Sequence, residues 1–154
     1  AKLPPVYVYA AETAIQMTLT ELNENLREIY IEAYTQQEAS EYIFRETARE
    51  LHQIFGPYQP ELTAQDFYYT EIGSASIMRG YMAHPCGGEL TLEKKLRLFL
   101  TMTLRAYRVP EDELEQVIRF VEGLDIRATA ERVMQALFRA LAMRFAFSLQ
   151  GIEE

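Results

Sequence analysis

The stretch from Val133 to Leu149 reads VMQALFRALAMRFAFSL, and only Gln135, Arg139, Arg144 and Ser148 interrupt its apolar run. At about 100° per residue, Gln135 and Arg139 share one narrow stripe that Ala142 and Ala146 complete. Val133, Leu137 and Leu141 then lie on one flank, and Phe138, Phe145 and Leu149 on others. A surface helix carries a single apolar face. A helix apolar around most of its circumference is central in a large core, in a membrane, or packed in two directions. A chain of 154 residues is small for the first. The arginines, and the lack of about 18 uninterrupted apolar residues, argue against a membrane span. The pattern therefore predicts a helix packed inward on its own domain and outward on a second copy, in a homodimer.

The rest of the chain reads as helices separated by clear punctuation. Val8, Ala11, Ile15, Leu19 and Leu22 recur at a helical period, and Asn23 and Asn25 mark a break or cap. Leu26 to Tyr34 forms a second helix, and a third ends at Gly56-Pro57. Thr63 with Asp66 has the spacing of a capping box at the start of a fourth helix, which runs to Met82 ahead of Pro85. Thr91 reads as the cap of a fifth helix, Leu92 to Arg108, with two apolar faces. Pro110 takes the first position of a sixth, and Asp125 caps a seventh from Ile126 to Leu149. The expected fold is all-α, one domain over residues 1–154, with about seven helices. The fifth and seventh helices are expected to form a four-helix bundle with a second copy. The expected interface comprises Leu96, Phe99 and Thr103 with Val133, Leu137, Phe138, Leu141 and Phe145.

Composition narrows the function classes. A formal charge of −8 leaves no basic footprint of the kind duplex binding requires. The single cysteine, Cys86, gives no disulfide framework and fits a reducing, cytoplasmic setting. His84-Pro85-Cys86 offers too few ligands for a metal site. The residues three before His52 and His84 are Arg49 and Tyr81, so the Glu-x-x-His pairs of a di-iron bundle are missing. No cofactor is expected, and no catalytic constellation points to an enzyme.

The segments DFYYTEIGSASIMRGYMAHPC and LTLEKKLRLFLTMTLRAYRVPEDELEQVI, with LREIYIEAY before them, resemble the C-terminal domain of TetR-family transcriptional regulators. The likeness is one of helix order and residue texture over most of the chain. It implies a ligand-sensing and dimerisation domain of a bacterial repressor. No basic helix-turn-helix precedes the first helix, so the resemblance further implies that DNA is read by a domain upstream of Ala1.

Glu71 is the sharpest local anomaly. By helical phase it falls in the middle of the apolar arc Phe67, Tyr68, Ile72, Ala75, Met78 and Met82. A carboxylate is rarely buried without a partner. Either it faces a ligand, or it is satisfied by a tyrosine hydroxyl or by an arginine such as Arg45 or Arg79. The ligand reading places a pocket among the first four helices with help from the fifth, lined by Tyr34, Phe44, Phe67, Glu71, Met78 and Tyr81. Aromatic rings and a buried carboxylate favour a small apolar effector, in particular a cationic aromatic one. The competing reading is a protein-interaction bundle with a filled core and no ligand. A cavity among the first five helices distinguishes the two.

Overall fold

The computed structural model describes the backbone of residues 2–153 and the side chains of residues 2–142. It is an all-α bundle of seven helices. They are α1 (Pro5–Leu22), α2 (Glu24–Thr35), α3 (Gln37–Phe55), α4 (Ala64–Met82), α5 (Leu92–Ala106), α6 (Glu111–Glu122) and α7 (Ile126–Glu153), with a short 3-10 turn at Gly56–Tyr58.

Capping chemistry sets most of the boundaries. The Asn23 side chain accepts from Leu26 N–H at 3.0 Å and starts α2 without an intervening loop. Thr63 and Asp66 form a complete capping box on α4. Thr91 caps α5 through Lys94 N–H, and Asp125 caps α7 through Ala128 N–H. Several ends differ from the sequence reading. Pro110 is the cap before α6 rather than its first residue, α7 continues to Glu153 rather than Leu149, and α5 stops at Ala106, not Arg108. Arg108 takes φ 59°, and Val109 N–H reaches back to the Leu104 carbonyl at 3.0 Å. That is the left-handed helix stop usually given to glycine.

The first helix is the hub, in contact with all six others. Its buried residues are Val6, Ala10, Ala14, Met17, Thr18, Leu19 and Thr20, so Leu19 of the expected stripe is buried and Val8 is exposed. Ala10 and Ala14 are fully buried, and their small side chains let neighbouring helices approach on several sides. Around this axis α3 packs on α4, α4 on α5 and α5 on α6. Phe55, Phe67, Phe99, Leu104 and Tyr107 fill the space between.

The last helix leaves the body after one contact. It packs along α1, where Ala130 and Met134 join Leu19, Leu22 and Leu26. From Gln135 to Ala142 every residue is exposed, including Leu137, Phe138 and Leu141. The expected interface on α5 is corrected. Leu96, Phe99 and Thr103 point into the chain's own core, with Phe99 and Thr103 1% and 0% exposed. They cannot meet a partner without opening the fold. The outward apolar residues of α5 are Leu98 and Met102. Val133, Leu137, Phe138 and Leu141 are exposed on α7, and Phe145 lies outside the described side chains.

No helix among the described residues is long and apolar enough to cross a membrane.

Candidate functional site

A cleft of about 130 Å³ opens among the first five helices. The hub helix contributes Tyr9, Glu12, Thr13 and Gln16, and α2 contributes Tyr34. Thr47, Glu50, Leu51 and Ile54 come from α3, Glu71, Ser74, Ala75 and Met78 from α4, and Phe99 from α5. Helical phase explains the α4 wall. Ser74, Ala75 and Met78 follow Glu71 at three, four and seven residues, so all four share a face.

Glu71 is only 5% exposed, and among the described residues it has no cationic partner. Arg79 is spent on the Thr35 hydroxyl at 3.0 Å, and Arg45 borders a different surface hollow beside Tyr68. The carboxylate is held by hydroxyls instead. Ser74 Oγ donates to Glu71 Oε2 at 2.7 Å, and the Tyr107 hydroxyl lies 2.8 Å from the same Oγ. The serine proton goes to the carboxylate, so the Tyr107 hydroxyl donates to the serine. Among the described residues Glu71 Oε1 accepts no hydrogen bond.

Burial pushes the Glu71 carboxyl up to about 7, against the smaller opposing effect of the Ser74 hydroxyl that donates to it and of the Tyr107 hydroxyl behind that serine. The neighbouring phenols also rise. Burial and the Glu71 charge push Tyr34 up to about 12, and burial holds Tyr9 well above the ordinary tyrosine range. Both therefore keep their protons at neutral pH and remain donors beside the acid.

Of the six expected lining residues, the fold brings Tyr34, Glu71 and Met78 together on the cleft. The other three lie elsewhere. Tyr81 is rotated about 80° from Glu71 on α4, and its hydroxyl meets Met102 Sδ at 3.8 Å on the outer surface. Phe67 is buried behind the cleft, 4.9 Å from the His52 ring and 6.2 Å from Tyr107. Phe44 lies on α3 one turn before Thr47 and is not part of the lining. Sequence reasoning missed the α1 wall, Glu50, Phe99 and the Ser74–Tyr107 pair. Tyr9, Glu12, Thr13 and Gln16 do carry a signal, a polar stripe at helical spacing on an otherwise apolar helix.

Three larger hollows lie on the surface. One of about 360 Å³ runs between α5, α6 and the start of α7, bordered by the Arg97–Glu122 ion pair at 2.7 Å. Another of about 450 Å³ is formed by Ile77, Tyr81, Leu90 and Met102. The third, of about 300 Å³, is the hollow beside Arg45 and Tyr68. None of them is lined by a buried carboxylate, as the cleft is.

No family model, curated protein or solved structure matches this chain. The functional argument therefore rests on the site's own chemistry. Among the described residues no three His, Cys, Asp or Glu side chains gather as a metal site. Cys86 sits beside Glu21 and Lys95, and burial with the Glu21 charge pushes its thiol up, away from the reactive thiolate.

A second polar cluster, also missed by the sequence reading, is structural. Lys95 is fully buried on α5 and donates to Glu21 Oε1 at 2.6 Å, to the Tyr81 carbonyl at 2.9 Å and to the His84 carbonyl. Arg27 meets Glu21 Oε2 at 3.2 Å and the Met82 carbonyl. Cys86 N–H donates to Glu21 Oε2 at 3.0 Å. Two cations thus cap the free carbonyls at the C-terminus of α4, where the helix dipole favours positive charge.

Proposed function

We propose that this chain is the ligand-sensing and dimerisation domain of a bacterial transcriptional repressor of the TetR type, with DNA read by a separate helix-turn-helix domain. The effector is a small apolar cation. The observation that carries this reading is the buried Glu71 carboxylate without a counter-ion, facing an aromatic-walled cleft. A cation entering there gains charge pairing with Glu71 and lies against the Tyr9, Tyr34 and Phe99 rings. The volume limits the ligand. A dry cavity of about 150 Å³ takes one benzene, so the cleft accepts a single ring or a short chain, with anything longer leaving past the mouth.

Dimerisation is supported by apolar side chains left exposed on one helix. The uncovered apolar residues are concentrated on α7, where Val133, Leu137, Phe138 and Leu141 are all exposed. We assign that helix to the partner copy.

Titration calorimetry with benzylamine and its uncharged isostere benzyl alcohol tests the ligand reading. Benzylamine binds and the alcohol does not, and Glu71→Gln removes the difference. Equal binding of the two compounds would sink the cation assignment.

A further inference from the structure

The cleft holds more negative charge than one cation neutralises. Glu12 and Glu50 stand on facing helices, exposed at its rim, while Glu71 lies at the buried end. No Lys, Arg or His belongs to the lining. The groups facing Glu71 from the packed elements are Tyr9 and Glu12 on α1, Tyr34 on α2, Glu50 on α3 and Tyr107 at the end of α5. A monocation drawn to Glu71 would leave both rim carboxylates uncompensated. Between the acids the lining is apolar, at Leu51, Ile54, Ala75 and Met78.

We propose that the ligand is a linear alkane diamine or longer oligoamine. Its leading ammonium seats at Glu71 among the Tyr9, Tyr34 and Phe99 rings, and its trailing ammonium is held at the rim by Glu12 and Glu50. The methylenes between lie on the apolar walls. An ammonium suits the inner end because it is compact and carries three donors. One can go to Glu71 Oε1, which accepts no other bond among the described residues. The open rim, where Glu12 and Glu50 are exposed, lets chains of more than one length extend to solvent. This rests on the cation reading of the same cleft and adds the second charge.

The test uses hexamethylenediamine, hexylamine and hexanediol in titration calorimetry with the full chain above neutral pH, where Glu71 is ionised. The diamine binds up to about fivefold tighter than the monoamine, the value of one additional rim ion pair, and the diol does not bind. Glu71→Gln abolishes binding of both amines. Glu12→Gln combined with Glu50→Gln, at exposed positions that leave the fold intact, lowers the diamine to the affinity of the monoamine. Equal affinities in the parent chain, or an unchanged ratio in the rim double variant, overturns the oligoamine assignment and leaves the cation reading standing. Failure of both amines to bind, or indifference of both to Glu71→Gln, overturns the two together.

Discussion

The rings of Phe55 and Tyr107 stack with centroids 4.4 Å apart and planes 8° from parallel. The last residue of α3 is thereby fixed against the cap of α5, directly behind the acid of the cleft. Tyr107 has two separable roles, as a ring in the stack and as the hydroxyl that supports Ser74.

Substitution separates those roles. Tyr107→Phe keeps the stack and removes one buried hydrogen bond, at a cost of about 1 kcal/mol. Tyr107→Ala also removes the ring and costs about 3–5 kcal/mol. Urea unfolding of the two variants measures both. Equal losses would mean that the stack contributes nothing.

Stability falls as pH rises through neutrality. The Glu71 carboxyl sits near 7 when folded and near the ordinary glutamate value of 4.5 when unfolded. Its neutral form is fully compatible with burial below 4.5, and that advantage is lost as pH climbs through 7. Glu71→Gln should therefore stabilise the protein above pH 7, by at most about 3 kcal/mol, and have little effect below pH 4.5. Thermal midpoints of parent and variant across this range provide the check. A cation in the cleft acts in the opposite direction, so its affinity should rise over the same interval.

The clamp at Glu21 responds to acid instead. Burial alone would raise this carboxyl. The hydrogen bonds from Lys95 and Cys86 N–H, with the Lys95 and Arg27 charges, outweigh it and hold the group below its ordinary value. Its stabilisation is present above the unfolded value and is lost as pH falls through the folded one. Lys95→Met leaves Glu21 and the α4 carbonyls short of a donor and is expected to cost about 3–5 kcal/mol, read by denaturant unfolding. A loss under about 1 kcal/mol would show that Arg27 alone can hold the cluster.

The last prediction concerns the assembly. Leu137→Glu or Phe138→Glu should convert the dimer to monomer in sedimentation velocity with helix content preserved, because both side chains are exposed in the isolated chain. A monomeric parent chain at micromolar concentration would refute the dimer. Leu98→Glu on α5 is the companion variant, and its effect shows whether the outward face of α5 joins the contact.

Legibility in the sequence followed locality. Helix order, the caps at Asn23, Thr63, Thr91 and Asp125, and the burial of Glu71 were readable because each depends on residues within a turn or two. Positions set by several neighbours at once were not. The hub role of α1 was hidden because a helix surrounded on many sides has no single apolar stripe, and its tightest positions are alanines. Leu96, Phe99 and Thr103 were placed at an interface because an apolar face on a helix does not reveal which neighbour covers it. Lys95 carries no local signal, because only the fold brings Glu21 and the end of α4 to it.

The Glu21 clamp also decides which wall of the cleft can give. It ties α1, α2, α4 and α5 together at one end through Glu21, Arg27, the Tyr81 and Met82 carbonyls and Lys95. No α3 residue takes part in it. Four walls are therefore tied as a frame by polar groups, whereas α3 is held by side-chain packing, by the Phe55–Tyr107 stack at its end and by the Tyr68 hydroxyl on Glu41 at 2.5 Å. Amide hydrogens along Thr47–Ile54 should exchange faster than those of α1 or α4, and a ligand that fills the cleft should slow them first.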